Sequence, residues 1–209
     1  MNQTDAEKAY REIKERIVRT KLPPGSVVNE ADLMNDLKFG RTPIREALKQ
    51  LQIEGLVVVK PRRGIFVSDL SITDLSKIFE VRIVLEGLAA RLATERITPH
   101  QLERLQALAD QYRKSSPSRK EQLIQLDSEF HSLIAEATHN HFLQTNLEHY
   151  YNLSLRIWYL ALPQTSIEDI NVEVHLDITE AISSGDAKKA EREITQHIKD
   201  FHTTIKKYL

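Results

Sequence analysis

The sequence predicts a mainly α-helical chain that is built from two modules. Apolar residues recur at helical spacing along most of the 209 residues, whereas β-branched runs cluster between Leu56 and Val67. The charge also changes along the chain, because residues 1–68 carry 13 lysines and arginines against 9 acidic residues, and residues 69–209 carry 16 against 21. We therefore expect a basic module at residues 1–68, a linker at 69–73 and an acidic, all-helical module at 74–209.

The basic module is expected to begin with two helices. Apolar residues at helical spacing place the first helix at residues 6–20, and the turn Pro23-Pro24-Gly25 stops it because proline cannot continue a helix. Asn29 is a favourable N-cap for the second helix, which has acidic residues in its first turn and ends at Leu37.

A third helix and a hairpin complete this module. Thr42 is expected to cap the third helix, with Pro43 at the first helical position and Gly55 at the end. The stretches Leu56–Lys60 and Ile65–Val67 flank a Pro-Arg-Arg-Gly turn, which predicts a β-hairpin.

Six helices are predicted for the acidic module, which makes it an all-α bundle. Capping residues, prolines and a Ser-Gly pair separate these helices, and capping boxes are expected at Ser118–Glu121 and Ser166–Asp169. The expected bounds are 74–97, 98–114, 118–138, 140–162, 166–183 and from 186 onward.

The composition excludes several classes of protein. No apolar run approaches the ~18 residues that a membrane span needs. Charged residues occupy the N-terminal segment where a signal peptide has its apolar core. The absence of cysteine excludes a disulfide scaffold, thiolate metal ligands and a cysteine nucleophile. We therefore expect a cytoplasmic protein that does not contact a membrane.

Two short helices, a tight turn and a basic hairpin are the parts of a winged helix-turn-helix, which binds DNA. The second helix of the pair enters the major groove, and the hairpin, called the wing, touches the backbone or the minor groove. The helix would present Arg41, Thr42, Ile44 and Arg45 to the DNA. The wing would present Lys60, Arg62, Arg63 and Gly64.

Five motifs of this module resemble those of the GntR family of bacterial transcription regulators. They are Pro24-Gly25, Asn29-Glu30-Ala31-Asp32-Leu33, Arg41-Thr42-Pro43-Ile44-Arg45-Glu46-Ala47-Leu48, Leu51-Gln52-Ile53-Glu54-Gly55-Leu56-Val57 and Arg63-Gly64-Ile65-Phe66-Val67. The resemblance implies that the DNA contacts are Arg41, Thr42, Arg45 and the Arg63-Gly64 wing tip. Gly40 and Ala31 depart from the family pattern, which usually has serine and a basic residue there, so the operator sequence cannot be copied from relatives.

Four residues of the acidic module have side chains and spacing suited to a metal ion. Asp127 and His131 are four residues apart on one predicted helix, so both project from the same face. His175 and His197 lie on either side of the Ser184-Gly185 turn, at similar distances from it, and both fall on apolar stripes. The four side chains could thus converge inside the bundle. The other histidines are expected to be surface or packing residues; these are His100, His139, His141, His149 and His202.

The acidic module resembles the FCD ligand-binding domain of FadR-type GntR regulators, and its six helices indicate the shorter, VanR-like branch. The residues that carry this resemblance are Val81-Arg82, Glu86, Ala89-Ala90, Asp127, Phe130-His131, His175, Gly185-Asp186, Ala190 and His197. Many such domains hold a divalent metal through one Asp and three His, which implies the same four ligands here. Zinc is favoured, with nickel, iron and manganese as alternatives. The resemblance also implies that this module supplies most of a dimer contact.

Arg82 allows two interpretations. It lies four residues before Glu86, so it could clamp an anionic effector above the metal or form an intrahelical salt bridge. Arg156 and Trp158 are candidates for lining the same pocket, although core packing is the simpler role for Trp158.

These features together favour an effector-responsive transcription regulator over two alternatives. We expect a homodimer on palindromic operator DNA, because one recognition helix covers too few base pairs to define a site in a genome. A small organic acid is the expected effector. A helical metalloenzyme fused to a DNA-binding domain is disfavoured, since the chain has no HExxH motif and Glu129 points away from the Asp127/His131 face. A pure metal sensor remains the third interpretation.

Overall fold

The computed structural model describes residues 3–116, 119–161, 163–164 and 173–208. Nine α-helices and three short strands occur within these residues. They are α1 (Asp5–Val18), β1 (Val27–Val28), α2 (Glu30–Leu37), α3 (Arg41–Ile53), β2 (Val57–Lys60), β3 (Gly64–Val67), α4 (Ile72–Arg96), α5 (Pro99–Lys114), α6 (Lys120–Ala137), α7 (His141–Ala161), α8 (Val174–Ser183) and α9 (Ala187–Ile205).

The chain divides into two compact units. Unit 1 contains Met1–Ser71 together with Asn152–Leu160, and unit 2 contains Ile72–Tyr151 together with Ala161–Leu209. The fold class predicted from the sequence is confirmed: unit 1 carries the winged helix-turn-helix, and α4–α9 form the predicted set of six helices. Helix α4 begins at Ile72, so residues 72 and 73 are helical although the sequence placed them in the linker.

Unit 1 contains one strand that the sequence analysis missed. β1 pairs antiparallel with β3, which in turn pairs with β2, so the hairpin of the wing belongs to a three-stranded sheet in the order β1-β3-β2. Phe66 is the shared partner, opposite Val27 in one ladder and Val58 in the other. The sheet packs with α1 and α3 around a core of aliphatic side chains; its most buried members include Ile13, Ile17, Ile44, Leu48, Leu51 and Leu56.

The helix-turn-helix begins as predicted but its second helix starts differently. The side chain of Asn29 accepts hydrogen bonds from the backbone N–H groups of Ala31 and Asp32, which confirms it as the cap of α2. The cap of α3 is Gly40, with no side-chain hydrogen bond, and Thr42 lies inside the helix. The prediction that Thr42 caps α3 is therefore wrong, because the N–H of Ile44 bonds to the carbonyl of Gly40, which places the start of the helix at Arg41.

Three helices of unit 2, α5, α7 and α9, begin at a side-chain cap. Thr98 forms a capping box with Gln101 at the start of α5, Asn140 accepts from the N–H of Leu143 in α7, and Asp186 accepts from the N–H of Lys189 in α9. Helix α6 begins at Lys120. The capping boxes expected at Ser118 and at Ser166–Asp169 lie outside the described residues, as does Val172 on the predicted His175 stripe.

Helix α6 belongs to the interior of unit 2, since ten of its eighteen residues are buried. Helices α4 and α9 approach closely at Gly87, where an added Cβ would lie 2.9 Å from Cγ2 of Thr195. Among the described residues, no helix is long and apolar enough to cross a membrane.

Candidate metal centre and nucleic-acid interface

The structure brings the four predicted metal ligands together inside unit 2. Asp127 and His131 project from α6, His175 from α8 and His197 from α9. Each of these residues offers one ligand atom such that all four atoms lie within 4.8 Å of one another. Three separate helices therefore meet at this cluster, which we call the Asp-His cluster.

One oxygen of Asp127 is the centre of the Asp-His cluster. Its Oδ1 lies 3.1 Å from Nε2 of His175, 3.7 Å from Nε2 of His197 and 3.8 Å from Nε2 of His131. All three imidazoles thus direct the same ring nitrogen towards the carboxylate. The ring centroids of His131 and His197 are 5.5 Å apart and nearly parallel.

The cluster is largely shielded from solvent, and the pKa values of two of its groups, Asp127 and His175, are shifted towards the forms that bind a metal. Burial alone would raise the pKa of Asp127, but His131 and the hydrogen bonds from His175 and His197 hold that pKa well below its usual value. Burial lowers the pKa of His175 to about 4, so this imidazole is neutral near neutral pH. An ionised carboxylate and neutral imidazole are the ligating forms of these side chains, and this donor set fits a divalent transition metal.

Glu86 on α4 contacts the side of His131 that faces away from Asp127. Its Oε2 is in ion-pair contact with Nδ1 of His131, and its Oε1 accepts from Nε of Arg82 at 2.8 Å and from Nη2 of Arg82. Burial alone would raise the pKa of Glu86, but Arg82 and His131 lower it to about 2. The buried carboxylate therefore stays ionised and favours a proton on Nδ1 of His131, so Nε2 is the nitrogen that could bind a metal. Burial lowers the pKa of His131, but Glu86 and Asp127 outweigh burial and raise it, so a metal would have to displace a proton from this imidazole.

Two tyrosines complete the surroundings. The hydroxyl of Tyr151 on α7 donates to Oδ2 of Asp127 at 2.6 Å, and the ring of Tyr112 on α5 stacks on His175 with centroids 3.9 Å apart. Burial, followed by the charge of Asp127, raises the pKa of both tyrosines well above 10, so both hydroxyls remain protonated. Sequence reasoning missed Tyr112 and Tyr151, and it noticed Glu86 only as a partner of Arg82.

Of the other residues considered for the same pocket, Arg82 lies beside the cluster, whereas Arg156 and Glu129 do not. Arg82 forms the intrahelical salt bridge with Glu86, and its guanidinium lies 4.9 Å from the ring centre of Tyr151. Arg156 does not line the cluster; it belongs to unit 1, where it donates to the carbonyl of Ser68. Trp158 is buried, in keeping with a packing role. Glu129 is exposed and accepts from Gln125, so it faces away from the cluster as expected.

The start of α3 and the wing carry the predicted DNA contacts on the surface of unit 1. The side chains of Arg41 and Arg45 are 74% and 59% exposed, and both are near Glu30 of α2, at 3.8 and 3.7 Å. The remaining predicted contacts are also exposed; these are Thr42, Arg62, Arg63 and Gly64. Arg62 and Gly64 adopt positive φ values of 61° and 105°, which shape the tight turn of the wing.

Ile44 is the exception among the residues expected to face DNA. Its side chain is fully buried in the core of unit 1. It is the third residue after Arg41 in the same helix, and the helical period turns it towards α1 and the sheet. The prediction that Ile44 faces DNA is wrong.

A winged helix-turn-helix with an exposed basic helix, together with a separate helical unit around a polar cluster, defines a DNA-binding regulator with a ligand domain. Residues 5–67 match the family of bacterial regulatory proteins called the gntR family, and residues 77–200 match the FCD domain. The chain belongs to the GntR family of transcription regulators and carries an FCD domain.

Individual relatives agree with this assignment. The chain is 26% identical to the HTH-type transcriptional repressor RspR of Escherichia coli K12 over 198 residues, which are 94% of this chain and 87% of RspR. It is 29% identical to the Nta operon transcriptional regulator of Aminobacter aminovorans over 84% of this chain and 82% of that protein. Its fold is similar to that of E. coli McbR/YncC, with a TM-score of 0.86, 20% identity and 99% of each chain covered.

These relatives are transcription regulators and not enzymes. This agrees with the sequence-based expectation that the chain is not an enzyme and removes the fused metalloenzyme as an alternative.

Proposed function

We propose that this protein is a cytoplasmic, effector-responsive regulator that binds operator DNA as a homodimer and holds a divalent metal ion in its FCD domain. The observation that carries the metal is the convergence of Asp127, His131, His175 and His197 from three helices within 4.8 Å. Zinc suits this donor set, and nickel, iron or manganese would fit it as well.

The proposed DNA contacts come from α3 and the wing. Arginines at the start of a recognition helix can pair with guanine in the major groove or with phosphates, and a glycine at a wing tip permits close approach to the backbone. The residues proposed for these contacts are Arg41, Thr42, Arg45, Arg62, Arg63 and Gly64. Arg41 and Arg45 could exchange Glu30 for DNA, because their contacts with Glu30, at 3.8 and 3.7 Å, are long and partly exposed.

A small carboxylic acid is the proposed effector, and the charge around the Asp-His cluster supports it. Glu86 and Arg82 cancel each other, and Asp127 offsets half of the charge of a divalent ion. The remaining positive charge is buried, which is unfavourable unless an anion joins it. A carboxylate bound to the ion would complete the balance. Arg82 is proposed as its second contact, through a guanidinium that also pairs with Glu86 and lies beside the Tyr151 ring that contacts the cluster.

Binding of the acid would regulate the protein only if its affinity differs between the DNA-bound and the free form. The experiment is a calorimetric titration of small monocarboxylic acids, with acetate as the first probe, into metal-loaded and metal-stripped protein. DNA retention is assayed on the same samples. We expect a response in the metal-loaded protein and a weaker one in the Arg82→Ala variant. An active acid that binds equally well with and without metal would contradict this mechanism.

Direct sensing of the ion is the second candidate, because the cluster supplies four protein ligands by itself. In that case mild chelation alone would change DNA binding, and no organic acid would be needed.

A further inference from the structure

The two oxygens of Asp127 have different partners. Oδ1 faces the three imidazole Nε2 atoms at 3.1–3.8 Å, whereas Oδ2 accepts the hydroxyl proton of Tyr151 at 2.6 Å. The Asp-His cluster therefore has one carboxylate oxygen directed to the ligand nitrogens and one directed away from them.

Tyr151 is itself held in place by its neighbours. Its ring lies 5.5 Å from the ring of His131, and Arg82 lies over it at 4.9 Å. Arg82 is fixed in turn by two hydrogen bonds to Glu86. A hydroxyl on such a restrained ring is a directional donor and not a surface group that can rotate freely.

We propose that Tyr151 fixes Asp127 as a one-oxygen ligand and thereby keeps one coordination position of the metal open for the effector. This inference rests on the proposed metal centre. A carboxylate can bind a metal through one oxygen or through both, and the second mode occupies a further position. The short hydrogen bond to an ionised oxygen is of the strong, charge-assisted kind, so turning Oδ2 towards the metal would require that bond to break.

This role of Tyr151 affects binding of the effector and not retention of the metal. With Asp127 bound through one oxygen, the protein supplies four ligand atoms, and a carboxylate from solution can become the fifth. With Asp127 bound through both oxygens, the same protein ligands fill that position. Tyr151 is a positioning residue in this scheme, since it acts through Asp127.

The test compares Tyr151→Phe with the wild type and with Tyr150→Phe, which removes the same atom from the neighbouring, partly exposed tyrosine. Each protein is loaded with cobalt(II), whose visible absorption reports coordination number, and is titrated with acetate. Cobalt content and far-UV circular dichroism are measured on the same samples. We expect all three proteins to hold one cobalt per chain and to be equally helical.

The spectra and the titrations then decide. We expect acetate to change the wild-type and Tyr150→Phe spectra, and we expect Tyr151→Phe to show the spectrum of higher coordination before acetate is added, with acetate affinity reduced at least about tenfold. A Tyr151→Phe protein with the wild-type spectrum and acetate affinity would overturn the inference, and so would loss of its cobalt. Absence of cobalt from the wild type would instead refute the metal centre itself.

Discussion

Glu86 contacts a proposed metal ligand without being one, so its effect on the metal can be measured apart from ligation. Its carboxylate touches Nδ1 of His131, and replacing it with an amide removes the negative charge that favours Nε2 as the ligating atom. We expect Glu86→Gln to weaken metal affinity by about 10- to 100-fold, as removal of such supporting groups commonly does. Competition with a chelating dye measures this.

The matched control is Glu95→Gln, an exposed position on the same helix. It should leave metal affinity unchanged. Equal affinity in the Glu86→Gln and Glu95→Gln proteins would show that Glu86 does not orient His131.

Arg45 and Arg41 are the residues on which the proposed docking to DNA depends most. We expect Arg45→Ala to cost about 1–3 kcal/mol of binding free energy if the side chain pairs with a base, and the loss should then be greater on the operator than on unrelated duplex. A phosphate contact would instead weaken binding to both duplexes alike. Fluorescence anisotropy at one fixed salt concentration measures both affinities.

Arg11→Ala, an exposed arginine of α1, is the control for loss of a positive charge. Undiminished operator affinity in the Arg41→Ala/Arg45→Ala double variant would refute the assignment of α3 as the recognition helix.

At the scale of elements, the close approach of α4 and α9 depends on Gly87. Alanine should gain about 1 kcal/mol of helix propensity there, but its Cβ would lie 2.9 Å from Cγ2 of Thr195, and such overpacking costs about 1–3 kcal/mol. We therefore expect Gly87→Ala to leave the free energy of unfolding unchanged or to lower it. Thr195→Ser removes the methyl group, so the Gly87→Ala/Thr195→Ser double variant should show the stability gain from the alanine.

Denaturant unfolding of the four proteins in this cycle measures the coupling, which should be about 0.5–3 kcal/mol. Additive effects of the two substitutions would show that the helices can separate at this point without cost.

Sequence reasoning predicted the elements whose ends are set by interactions between residues close together in the chain. Caps such as Asn29, Thr98 and Asp186 act within one helical turn, so the sequence contains the whole interaction. Strand β1 was missed because Val27 and Val28 form a strand only by pairing with β3, far along the chain. The start of α3 was misplaced because Gly40 and Thr42 are both acceptable N-cap residues, and the backbone hydrogen bond from Ile44 to Gly40 selects the earlier one.

The metal ligands were predictable in part for a similar reason. Asp127 and His131 share a helical face, and the turn at Ser184-Gly185 relates the helices of His175 and His197. The outer partners Tyr112 and Tyr151 come from α5 and α7, and no spacing in the sequence relates them to the ligands. Their positions depend on how whole helices pack in unit 2.

At the scale of the whole molecule, the proposal requires two DNA-binding units on one operator. One recognition helix covers only a few base pairs, whereas a two-fold dimer covers two half-sites about one helical turn apart. We expect sedimentation to give a homodimer at micromolar concentration and the complex to contain two chains per palindromic site. A monomer that binds DNA as one chain per site would contradict this.

The metal centre is tested most directly by counting metal ions per chain in native mass spectra of protein exchanged into zinc. We expect one ion per chain in the wild type and none in the His175→Ala/His197→Ala double variant, because that variant keeps only Asp127 and His131. The control is His100→Ala/His141→Ala, which removes two exposed histidines and should keep the ion. A full complement of zinc in the His175→Ala/His197→Ala variant, or none in the wild type, would contradict the assignment of the Asp-His cluster as a metal centre.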